Sequence, residues 1–165
     1  MSESETRFLK TIAGLFPEAR GYRAFDGRAD TEERLRAHVA SELARLREKV
    51  AELKAAASEE GEEDMLEELD KIDTRMGRTI EALHGAGYAG LPFFSSREVS
   101  ELDLARVCAY DLELLDDLGL LTIDVMGMKY ETIGNLTLRE AEGTLAAIEL
   151  KIANRGYIFE PGGEG

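Results

Sequence analysis

The stretch Val39-Ala40-Ser41-Glu42-Leu43-Ala44-Arg45-Leu46-Arg47-Glu48-Lys49-Val50-Ala51-Glu52-Leu53-Lys54-Ala55-Ala56-Ala57 sets the architecture. Its apolar positions Val39, Leu43, Leu46, Val50, Leu53 and Ala57 alternate spacings of four and three, which is the heptad seam of a helix packed against another helix. Charged residues fill the positions between them. The spacing predicts a helix over 31–58, about 42 Å long at 1.5 Å per residue. Asp30 is the expected N-cap, with Glu32 and Glu33 in the first turn, where the helix dipole favours negative charge. Ser58-Glu59-Glu60-Gly61 interrupts the pattern, and a second stripe follows at Met65, Leu69, Ile72 and Met76, continued by Ile80 and Leu83. Two seams joined by so short a link must fold back on each other. The expectation is an antiparallel coiled-coil hairpin over 30–84.

Toward the N-terminus, residues 21–28 read as a linker. Ser2 to Glu5 reads as a capping box that opens a short amphipathic helix over 3–16. Its apolar face is Phe8, Leu9, Ile12, Leu15 and Phe16. Such a face packs on the bundle, lies in a membrane interface or meets a protein partner, and periodicity alone does not separate the three.

Beyond the hairpin, Gly85, Gly87, Gly90 and Pro92 end regular helix. Tyr88, Phe93 and Phe94 are expected to pack on the hairpin base. Ser100 or Asp103 caps a helix carrying Leu104, Val107, Leu114, Leu118 and Leu121. Leu121 to Val125 would also suit a strand, but the continued spacing to Met128 favours helix to about Gly127. Thr137 to Glu140 reads as a capping box for a last helix ending at Asn154-Arg155-Gly156, a cationic last turn with a C-cap glycine. The expected fold is therefore all-α: one domain over 1–160, in which the hairpin packs with two further helices over 100–156, followed by a disordered tail at 161–165.

The chain has 165 residues and a net charge of −14. The charge is uneven: residues 1–54 hold 11 Lys/Arg against 10 Asp/Glu, and residues 55–165 hold 9 against 24. Such acidity repels a phosphate backbone, so no nucleic-acid partner is expected. The acidic N-terminus and the lack of an apolar run near 20 residues predict a cytoplasmic protein, with membrane contact confined to the 3–16 helix. The single Cys108, among Leu104, Val107 and Leu112, reads as a core residue.

Three local patterns suggest chemistry. Gly85-Ala86-Gly87-Tyr88-Ala89-Gly90 matches a dinucleotide-binding glycine pattern, but it follows a helix and precedes Leu-Pro, the wrong context for a phosphate cradle. Glu81-Ala82-Leu83-His84 matches half of a di-iron unit. Antiparallel pairing would bring His84 and Glu81 near His38 and Glu42 at the hairpin base, so these four are the candidate metal ligands; they lie off the seam and are fewer than a di-iron site needs. The acidic run Glu59 to Asp64 lacks the alternating oxygen spacing of a calcium loop. No cofactor and no catalytic residue is expected.

The order of a short amphipathic helix at Phe8–Phe16, a mildly basic linker and a coiled-coil hairpin resembles the start of the phage-shock-protein A / ESCRT-III-like family over residues 5–84. The resemblance implies contact with anionic bilayers through the first helix and polymerisation through the hairpin. This hairpin is much shorter than that family's, and the distal half has no counterpart. Arg20-Gly21-Tyr22-Arg23, Gly87 to Leu91 and Tyr110 to Leu115 also resemble segments of small prokaryotic helical proteins, which implies no function. Together these readings predict a non-enzymatic interaction or scaffold protein, self-associating or bound to a protein partner, with peripheral membrane contact through residues 3–16. The alternative is a metal- or ligand-binding bundle centred on His38 and His84.

Overall fold

The computed structural model describes residues 1–162, so residues 163–165 of the expected tail lie outside the described residues, while Pro161 and Gly162 form a turn. Six helices and no strand occur among the described residues: α1 (Glu3–Leu15), α2 (Phe25–Glu59), α3 (Glu63–Gly85), α4 (Pro92–Ser95), α5 (Glu101–Met126) and α6 (Asn135–Ile158). The fold is all-α.

The seam of residues 39–57 is buried throughout, with Leu43 and Leu46 fully covered. It packs on Leu69, Ile72, Met76 and Leu83 of α3. Thr79, whose hydroxyl bonds the Arg75 carbonyl at 2.8 Å, takes the seam position, and Ile80 is only half-buried. Four helices make the bundle. α2 pairs with α3 and α5 with α6, and the contacts α2–α5 and α3–α6 close the square. The α5–α6 loop sits at the hairpin tip, with Tyr130 near Glu62 and Glu60; desolvation, then these carboxylates, raises the pKa of its hydroxyl to about 12. The chain crosses diagonally from α3 to α5 through α4 at the opposite end, the base. α1 lies along the first half of α5, and Arg23 grips both Glu5 (2.7 and 2.9 Å) and Glu101 (2.7 and 3.0 Å).

Three boundaries differ from expectation. α2 begins at Phe25 rather than after Asp30, because Arg28 needs helical backbone to sink its side chain into the base. α6 begins at Asn135: Leu138 already donates to the Gly134 carbonyl at 3.2 Å, so Thr137 is inside the helix and caps nothing. α6 also runs through Gly156 to Ile158, and Arg155 is 0% exposed. Of the two alternative caps for α5, Ser100 is the one used, its hydroxyl accepting from the Asp103 amide at 3.0 Å.

Candidate functional site

The four candidate metal ligands do not converge. His38 faces α1, its ring 5.6 Å from that of Phe16, and burial holds its pKa below the ordinary value against the pull of Glu42. Glu42 is engaged by Arg45 and by the Thr122 hydroxyl of α5 at 3.0 Å. His84 is exposed on the other side of the hairpin, in a shallow groove with Glu33 and Arg36. Glu81 is exposed as well. No group of three or more metal-competent side chains forms among the described residues. The physical reason is helical phase: His38 and His84 share the level of the base but point to opposite faces.

The α1 face divides. Phe8 and Ile12 are 0% and 1% exposed, Leu9 and Phe16 are half-buried, and Leu15 is 44% exposed. Phe8 stacks on Tyr22 at 5.1 Å with the rings 13° apart. The face therefore packs on the bundle.

The base holds what sequence reading missed. Arg155 of α6 donates two bonds of 2.9 Å to Asp111 of α5 and one of 2.8 Å to Glu32 of α2. Arg36 donates to the same Glu32 oxygen, Oε1, as Arg155 does, and the Tyr22 hydroxyl donates to Asp111. Two arginines and two carboxylates make the group formally neutral, which is what a dry interior requires. Burial alone would lower the Arg155 pKa; Asp111, then Tyr22 and Glu32, hold it well above its ordinary value. Burial, then Asp111, raises that of Tyr22. The Tyr88 and Phe159 rings cover the guanidinium at 5.4 and 5.2 Å.

Beside it, Arg28 is buried with no carboxylate. Its five N–H groups meet five carbonyls: Tyr22 (2.7 Å), Arg23 (3.2 Å), Phe93 (3.3 Å), Ser96 (2.7 Å) and Arg97 (3.2 Å). Desolvation draws its pKa down. Arg28 thus pins the α1–α2 linker to the end of α4. Thr31 locks the same linker by exchanging 3.0 Å bonds with Gly21. Gly21 has φ +93°, a left-handed conformation that glycine adopts without strain.

A groove of about 600 Å³ lies between α3 and α6 near this base. Ala82, Ala86, Ile152, Ala153 and Tyr88 form its floor, and Arg78 stands at its rim without an ion pair among the described residues. Arg75 is tied to Glu149 by bonds of 2.9 and 3.1 Å.

Farther along the same helices, Glu142 of α6 sits by Glu68 of α3. Desolvation, then Glu68, raises the Glu142 pKa, while Lys71 first of all lowers that of Glu68; the two titrate as a pair. A carboxyl whose folded pKa exceeds its unfolded one stabilises most below the unfolded pKa, and that contribution is lost as pH rises through the folded pKa. Glu142→Gln is permanently neutral. It should raise Tm by about 2–4 °C at about pH 7, equivalent to roughly 1 kcal/mol, with the gain vanishing below about pH 4. Calorimetric melts at the two pH values check this; an equal effect at both would exclude the carboxyl pair as its source.

Compared with known proteins, the chain matches no family model, no curated protein and no solved structure.

Proposed function

We propose that the protein is a non-enzymatic helical interaction protein whose α3–α6 side receives a protein partner. The observation that carries this reading is the α3–α6 groove itself. Its floor is mostly apolar, with short side chains at Ala82, Ala86 and Ala153 where a partner helix approaches closely, and Arg78 at the rim, without an ion pair among the described residues, offers an anion contact. The charges of the base are satisfied within the fold and covered by aromatic rings; they act as a clamp in which Arg155 ties the α6 wall to α5 and α2, while Arg36 bonds the Leu83 and Ala86 carbonyls at the end of the α3 wall. Peripheral membrane contact through residues 3–16, and with it the bilayer role implied by the family resemblance, requires α1 to leave the bundle first, since Phe8 and Ile12 are buried.

The test is capture from native lysate by immobilised protein, comparing wild type with Arg78→Glu/Ala82→Arg. Both positions are exposed, so the variant should melt like wild type. Under this reading a defined protein is retained by wild type and by a Leu102→Arg control on α5, and lost from the groove variant. Identical retention by all three would remove the groove from the account.

A further inference from the structure

α6 is apolar on two sides. Its inner seam, Leu138, Ala141, Leu145, Ile148, Ile152 and Arg155, is buried. Its outer surface carries a second seam: Leu136, Gly143, Leu150 and Tyr157 recur every seven residues, with Arg139, Ala146 and Ala153 each three farther on. All seven are exposed; Leu136, Leu150 and Tyr157 stand 71%, 64% and 62% open. An apolar stripe on a helix is ordinarily the face it buries against a neighbour. On α5 the exposed apolar positions Leu120, Ile123 and Met126 form a shorter run at the C-terminal end of the helix, and Leu102 is separated from it by Glu113 and Asp116.

The geometry points to a second copy of this chain as the occupant, its α6 antiparallel to the first across a twofold axis between Ala146 and Leu150. This deepens the reading that the α3–α6 side is the interaction face, and it rests on that reading. Residue sizes and charges select the orientation. In the antiparallel register Leu150 meets Ala146 of the second copy, Gly143 meets Ala153, and Tyr157 meets Arg139, each contact occurring twice by symmetry. At the centre of the seam Leu150 faces the small Ala146, and Gly143 with Ala153 lets the two backbones approach, so the layers interdigitate there. Each arginine lies against a tyrosine ring, a favourable cation–π arrangement. A parallel pairing would instead set Arg139 against Arg139, Leu150 against Leu150 and Gly143 against Gly143, combining like charge with voids. Glu149, the acidic residue nearest the axis, is already neutralised by Arg75. The seam is about 32 Å long at 1.5 Å per residue and one helix wide, small for a stable interface, so a dimer in the micromolar range is expected.

Sedimentation equilibrium on the full chain, up to about 100 μM, covers weak specific association of this kind. Wild type should dimerise, and Leu150→Glu should be monomeric with an unchanged melt. Cysteine cross-linking reads the orientation. A mixture of Arg139→Cys and Tyr157→Cys proteins should form the mixed disulfide under air oxidation, while neither protein alone forms a dimer; the native Cys108 is buried and does not compete. Disulfide dimers of either single variant alone would overturn the antiparallel register. A wild type monomeric at every concentration would overturn the second copy as occupant. If that monomer still loses its captured protein on Arg78→Glu/Ala82→Arg, the interaction face stands with a different partner; if capture too is unaffected, both readings fall.

Discussion

Arg155→Met should lower Tm by about 6–20 °C. The substitution keeps length and apolar stem but leaves the Asp111 and Glu32 carboxylates, 0% and 3% exposed, without the guanidinium that neutralises them. Removing one member of a buried ion group costs about 3–5 kcal/mol, and a chain of this size loses about 2–4 °C per kcal/mol. That is a large part of a total stability of about 5–15 kcal/mol. The same physics predicts a recovery. In Tyr22→Phe/Asp111→Leu/Arg155→Met the cluster becomes apolar, and Glu32 keeps its bond to the half-buried Arg36. Most of the lost Tm should return, a strong non-additivity because the three side chains form one unit. Calorimetric melts of the single and triple variants measure both effects. A single variant within about 2 °C of wild type would show that water or a rearranged Arg36 replaces Arg155, and the cluster would not be the clamp described above.

The base cluster was partly written in the sequence. Leu104, Val107, Asp111, Leu114, Leu118 and Leu121 keep alternating spacings of three and four, so Asp111 occupies a core position of α5. Arg155 likewise continues the inner stripe of α6 after Ile152. Glu32 and Arg28 extend the α2 stripe backward from Leu35. A charge at a seam position is a buried charge in need of a partner, and here opposite charges stand at seam positions of three helices. Reading Arg155 as a last-turn cation obeyed the local rule for helix ends and missed the stripe it continued. What the periodicity did not contain is which helices adjoin. That depends on the diagonal crossing through residues 86–100, where Gly87, Gly90 and Pro92 leave no repeat to follow.

Helical phase also explains the failure of His38 and His84 to meet. Residues at one level of a hairpin become ligands of one site only when both project to the same side, and off-seam positions on two helices have two sides available. The hairpin itself was legible because burying a heptad stripe leaves a single solution, the mutual one. The outer seam of α6 was hidden for the opposite reason: the inner stripe accounted for the helix, and only a structure shows that Leu136, Leu150 and Tyr157 remain open.

The double variant Phe8→Asp/Ile12→Asp separates a core helix from a surface anchor. Truncating a buried Phe or Ile costs about 2–5 kcal/mol each, and placing a carboxylate in its stead adds the penalty of an unpaired buried charge. No domain of this size absorbs that sum, so the chain takes the cheaper course and undocks α1. The loss then equals the docking energy of that helix: the Phe8–Tyr22 stack, the Ile12 contact with the core and the ion pairs that Arg23 makes with Glu5 and Glu101. Expected results are a Tm lower by about 10 °C or more, from the same conversion of free energy to temperature, and hydrogen exchange that rises throughout residues 3–15 and along the α5 surface that α1 covered. Wild type should not co-sediment with anionic vesicles, because binding through α1 must first undock it, and the apparent affinity falls by the fraction of chains already open. An anchor behaves in the reverse way. It would bind vesicles as wild type, lose that binding in the double variant and keep its Tm, because its apolar face would have owed nothing to the bundle.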